Sequence, residues 1–211
     1  SETNAFLAQL PLIQEKVVDI LRSSPADLVH AEVYLCMRVF LCRFASQHLT
    51  GFWPIILTEM VRILAQAKVD LPADKSDRLQ LVFSVVKLAD FLITLQTDDF
   101  QIHQWLLITD TPDATNPASS YMADSLLDCL AKFVSECQRE LVFDANDSLE
   151  RAQQRRPLLQ MSSVATISTL QPFFATASRA FYQCDFHATL DWDNINACLL
   201  HDLFEPIHTN T

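Results

Sequence analysis

Cys184 and His187, and again Cys198 and His201, stand three positions apart, and thiolate with imidazole is a donor set that tetrahedral zinc takes. Together the two pairs could supply four ligands. The competing reading packs each cysteine in the core and leaves each histidine at the surface. In a chain patterned for helix, ligand spacing alone is weak, so packing is the expectation and zinc the alternative. Asp191-Trp192-Asp193-Asn194 has a faint calcium-loop order but lacks the turn glycine and the distal bidentate carboxylate. Capping of a following helix by Asp191 accounts for it better. Six histidines are scattered along the chain, none in a nucleophile context such as G-x-S-x-G. No catalytic residue is therefore assigned, and the chain is not expected to be an enzyme. A helical enzyme whose site assembles from distant residues is the further alternative.

Arg151, Arg155 and Arg156 form the one basic cluster, and arginine forks suit a phosphate headgroup. The plainer reading is a solvated loop or an ion-paired helix end. The formal net charge is -11, which repels phosphate backbones and anionic membranes alike. Nucleic-acid binding is not expected, and membrane contact would be peripheral. A single glycine, Gly51, leaves no means of writing a P-loop or a dinucleotide fingerprint, and no cofactor is expected. Six cysteines without a C-x-x-C pair suit buried free thiols in a reducing compartment.

The elements that must position these residues read as helices. Leu10, Ile13, Val17 and Leu21 share a face, with Pro11 in the first turn. A second helix runs from Asp27, its cap, to about Ala45, with a stripe of Val29, Val33, Cys36, Phe40 and Phe44. Gly51 marks a corner, and Pro54 opens a third helix. Asp74 is the expected cap of a fourth, whose Leu81, Val85, Leu88, Leu92 and Leu95 alternate by four and three. A second stripe at Val82, Val86, Ala89 and Ile93 favours a core helix over a dimer seam. Residues 100–108 fit strand or helix equally. Helix returns over Tyr121 to Leu141, with Met122, Leu126, Cys129, Phe133 and Cys137 aligned. Residues 146–156 read as a polar, mobile loop. Another helix starts at Val164, capped by Ser162 or Ser163 and kinked at Pro172. The last runs from Asp191 through Leu199, Leu200, Leu203 and Phe204. The expectation is one all-α domain over residues 1–211, built of antiparallel helical hairpins that could stack in a degenerate HEAT or armadillo manner.

Several segments together carry a resemblance. They are Phe52-Trp53-Pro54 through Glu59, Val86-Lys87-Leu88-Ala89-Asp90-Phe91-Leu92, and Phe100 through Ile108 with Trp105. They continue with Arg156-Pro157-Leu158-Leu159, Leu170-Gln171-Pro172-Phe173-Phe174, and Leu199-Leu200-His201-Asp202-Leu203-Phe204-Glu205. Their order from Leu49 to Glu205 resembles the C-terminal region of the Dopey family. The resemblance implies the terminal part of a much longer scaffold, peripheral to Golgi and endosomal membranes on the cytoplasmic side, in retrograde endosome-to-Golgi transport. It further implies two partners: a large HEAT-repeat protein related to Arf exchange factors, and an aminophospholipid flippase. A homodimer is also compatible with it. It transfers no binding residue to this chain.

Overall fold

A computed structural model of the chain describes residues 6–104, 107–108, 125–137, 154–183 and 188–204. Among them every regular element is helical, as the periodicity requires. The α-helices are α1 (Leu10–Ser23), α2 (Asp27–Arg43), α3 (Trp53–Val69), α4 (Asp77–Leu95), α5 (Asp98–His103), α6 (Leu126–Cys137), α7 (Gln171–Gln183) and α8 (Trp192–Phe204). Short 3-10 turns precede α1, α3 and α7.

Local chemistry sets the helix starts. Pro11 and Pro54 lie in the first turns of α1 and α3, where the missing N–H leaves no bond unmade. Ser76, not Asp74, caps α4: its hydroxyl accepts from the Leu79 amide at 3.1 Å. Asp27 is the first residue of α2 rather than its cap. Of residues 100–108, open between strand and helix in the sequence, 100–103 belong to helix α5. Pro172 does not kink a helix begun at Val164. Helix α7 starts at Gln171, so Pro172 sits in its first turn, and the preceding residues Ile167–Leu170 form a 3-10 turn. Proline at a first turn satisfies the constraint at lower cost than a mid-helix kink.

Helix α4 is the centre. Every residue from Leu79 to Leu95 is buried, so both apolar stripes find cover, and the heptad run is core. It packs against α2, α3 and α7, while α6 lies against α3 and α7. Helices α1 and α2 form a short hairpin, and α8 lies on α2. The core is thus organised around one helix, with neighbours on several sides.

Contact on two sides also changes which faces are buried. In α2 the inward residues are Val33, Tyr34, Met37 and Leu41, while Val29 is exposed and Cys36, Phe40 and Phe44 are half-buried. In α6 Leu127, Leu130 and Val134 point inward, one position off the expected Leu126, Cys129 and Phe133. Both helices carry neighbouring apolar stripes, and packing partners, not periodicity, decide between them. Met122 and the rest of 121–124, and Trp105, lie outside the described residues.

Trp53 is buried at the start of α3, and its indole N–H donates to Asp99 Oδ2 at 3.2 Å. Ser46 donates to the same oxygen at 2.6 Å, so one ring ties α3, the α2–α3 connection and α5 together. Trp53→Ala removes that volume and one donor. A loss of roughly 3–5 kcal/mol is expected in urea unfolding. An unchanged midpoint would contradict the central placement of the ring.

Candidate functional site

Gln80, Ser84, Lys87 and Asp90 are polar residues set into the apolar surface of α4. Their spacing of four, three and three puts them along one side of the helix. All four are buried. Facing them is an irregular strap, residues 154–166, whose backbone has no helix or sheet to satisfy it.

The two run in opposite directions and are joined at successive points. Gln80 Nε2 donates to the Val164 carbonyl at 2.8 Å. Lys87 Nζ donates to the Met161 carbonyl at 2.6 Å. The two Asp90 oxygens accept from the amides of Leu158 and Leu159 at 3.0 and 2.8 Å. At the far end the Arg155 guanidinium donates to the carbonyls of Thr94 and Leu95, at 3.2 and 3.0 Å, where the last turn of α4 leaves acceptors free. Ser84 turns to α2, donating to the Ala31 carbonyl at 2.8 Å.

An ionic centre grows from this seam. Lys87 also donates to both oxygens of Asp202 on α8, at 2.5 and 2.7 Å. Arg38 on α2 pairs with the same carboxylate. Phe83 lies 5.2 Å from the Lys87 ammonium and Phe91 5.6 Å from the Arg38 guanidinium, measured to the ring centroids. Arg38 and Lys87 thus face Asp202 and Asp90, and the formal charges cancel. Burial still penalises each ion. It lowers the Lys87 pKa, against the attraction of Asp202. It pushes the Asp90 carboxyl up to about 6, against the two amides and the nearby cations.

Chemically these groups are committed. The Lys87 ammonium has acceptors for its three protons, and Asp90 holds two backbone amides. The arrangement fastens α2, α4, α8 and the strap to one another.

The candidate residues from the sequence fall around this frame. Arg155 holds the α4 end and also donates to the Ala188 carbonyl at 3.2 Å. Arg156 Nε donates to Asp191 Oδ2 at 2.6 Å. Those contacts engage both Nη atoms of Arg155 and the Nε of Arg156. Arg151 lies outside the described residues, as do Cys184 and His187. Cys198 is buried, with its thiol pKa raised by burial, while His201 is exposed. The described residues contain no group of three or more His, Cys, Asp or Glu side chains placed to hold a metal ion. Asp191 does cap α8, accepting from the Asn194 amide at 3.0 Å, and that bond is the main cause of its lowered pKa. No helix among the described residues is long and apolar enough to cross a membrane.

Sequence reasoning passed over Lys87, Asp90 and Asp202 as functional residues, although each stands in a segment that carried the resemblance. The available signal was the run of polar residues on one side of an otherwise apolar helix.

The fold and this seam define an all-α protein whose distinctive polar residues serve its own framework. The family model described as "DOP1 C-terminal" matches residues 1–186, and the chain belongs to that family. Mouse Protein DOP1B is 28% identical over 214 residues, covering 85% of this chain and 9% of its own length. Protein dop1 of Emericella nidulans is 32% identical over 130 residues, covering 58% of this chain and 7% of its own. Protein pad-1 of Caenorhabditis elegans is 30% identical over 149 residues, covering 64% and 6%. The chain therefore spans less than a tenth of the length of these relatives. No solved structure matches it.

Asp90 gives the seam a pH signature. Its pKa is raised in the folded state from the ordinary 3.8 to about 6, so between those values the native state keeps a proton that the unfolded state releases. The resulting stability is fully present below about pH 4 and is lost as pH rises through about 6. Urea unfolding of wild type and Asp90→Asn across that window should show the wild-type advantage shrinking by on the order of 2–3 kcal/mol as pH rises. A difference independent of pH would contradict the buried, proton-holding Asp90.

Proposed function

We propose that this chain is a protein–protein scaffold domain of a membrane-trafficking protein, acting peripherally at Golgi and endosomal membranes in retrograde endosome-to-Golgi transport. The family match over residues 1–186 carries this reading. The structure supports it in one respect: the segments behind the resemblance build a rigid frame of helices, with Lys87, Asp90 and Asp202 spent on internal contacts. A frame of that kind presents surfaces rather than transforms substrates, and we assign it no catalysis. Its partners in this proposal are a large HEAT-repeat protein related to Arf exchange factors and an aminophospholipid flippase.

The test is removal of these 211 residues from the full-length protein in cells. Capture of both partners should fall, and cargo that normally returns from endosomes to the Golgi should remain in endosomes. Undiminished capture and normal retrieval would overturn the scaffold role of this domain. A parallel arm addresses phosphoinositide binding through the arginine cluster. It should use Arg151→Ala with Arg156→Ala on phosphoinositide liposomes. Arg155→Ala is left out of that arm because it strips the α4 end of its donor and confounds binding with stability. Liposome binding that disappears in the double variant would favour a headgroup role over the scaffold reading alone.

A further inference from the structure

Helix α8 buries only one side. Ile195, Cys198 and Leu199 face inward, while Trp192, Leu200, Leu203 and Phe204 are 44%, 52%, 47% and 78% exposed. At 100° per residue those four fall within an arc of about 120°, which begins beside buried Leu199 at Trp192 and Leu203 and turns away from the buried face to Leu200 and Phe204. Trp192 and Phe204 lie twelve positions apart, so the stripe is about 18 Å long.

Two concave features adjoin it. An open groove of about 670 Å³ lies beside Trp192, bounded by Arg156, Leu190, Asp191 and Asp193. A smaller cavity of about 150 Å³ adjoins Leu203, with Glu32 of α2 on its wall. The stripe therefore has the Asp193 carboxylate at its start and, near its end, the Glu32 carboxylate beside the mutually paired Arg38, Lys87 and Asp202. Arg156 is already paired with Asp191, and Arg43 donates to Asn196 at 3.1 Å midway along the helix.

We infer that the outer face of α8 docks an amphipathic helix of a partner protein, with an apolar side and basic residues along its margins. The inference rests on the scaffold reading and gives it a surface. The apolar stripe supplies burial. The Trp192 indole next to the Asp193 carboxylate suits a lysine or arginine, which can lie over the ring while pairing with the acid. Charge selects among occupants. A second copy of this chain would bring a net charge of -11 against its own like and set acids against acids at the ends of the stripe. An anionic bilayer meets the same repulsion.

The 211-residue chain can be tested with two synthetic helical peptides sharing one leucine face, one with lysine margins and one with glutamate margins. Trp192 fluorescence and peptide anisotropy would be followed at low and moderate salt. The lysine peptide should bind saturably and the glutamate peptide should not. Leu200→Asp with Phe204→Asp, both exposed and so tolerated by the fold, should weaken the lysine peptide by roughly tenfold or more. Asp193→Lys should narrow the preference between the two peptides. Equal binding of both peptides, or binding indifferent to the double variant, would overturn the inference. So would a dimer, or attachment to phosphatidylserine vesicles, that the double variant abolishes. Placed in the full-length protein, the double variant separates the two proposals. Partner capture that survives it, yet fails on removal of the whole domain, refutes this surface and leaves the scaffold standing. Capture that survives both refutes the scaffold itself.

Discussion

Wherever a backbone without helix or sheet is buried it must find hydrogen-bond partners elsewhere, and that constraint governs the strap at residues 154–166, which buries Pro157, Leu159 and Val164. Each amide or carbonyl left unpaired in its buried part would cost about 1–3 kcal/mol. The partners come from α4, an element whose interior backbone is already satisfied and whose side chains are free for the task. Gln80, Lys87 and Asp90 reach out to the strap, and Arg155 reaches back from the strap to the end of α4. Helix and strap thus complete one another. The strap in turn leads into α7, which packs with α6, so the seam helps to set the far side of the core.

Polar seams of this kind are costly to bury and exacting in geometry. Removing ions from water carries a penalty of several kcal/mol each, offset by close opposite charges and matched hydrogen bonds. Here the carboxylate of Asp202 gathers Arg38 and Lys87 from two other helices. A purely apolar contact would hold α8 with similar strength but would tolerate sliding by a turn. The single carboxylate between two fixed cations fixes the register of α8 on α2 and α4. That register determines which side of α8 faces outward, and hence the position of Trp192, Leu200, Leu203 and Phe204 on the surface. The interior chemistry and the proposed docking face are linked in this way through one helix.

Much of the helical framework was legible in the sequence because it rests on periodicity and punctuation. Pro11 and Pro54 mark true helix starts, Asp191 is a true cap, and the double stripe of α4 signals its central place. Where neighbouring stripes compete, as in α2 and α6, periodicity has no means of choosing, since the choice belongs to the partners. The seam was only half legible. Lys87 and Asp90 are conspicuous in a buried helix, but the groups they serve are backbone atoms of the strap, which carry no side-chain signature. The segments around Val86–Leu92, Arg156–Leu159 and Leu199–Phe204 appear unrelated in sequence. The fold brings them to a single point, which gives a physical reason for their appearance together in the family resemblance.

The claim that α4 and the strap form one hydrogen-bonded unit is tested most directly by amide hydrogen exchange, resolved by residue. The amides of Leu158 and Leu159 lie in a segment with no regular structure, and an unattached loop would exchange them within seconds to minutes under native conditions. Held by Asp90, they should exchange as slowly as the amides in the middle of α4, and in Asp90→Asn at least one should accelerate strongly while the α4 amides change far less. Fast exchange of both amides in the wild-type chain, with α4 fully protected, would contradict the account.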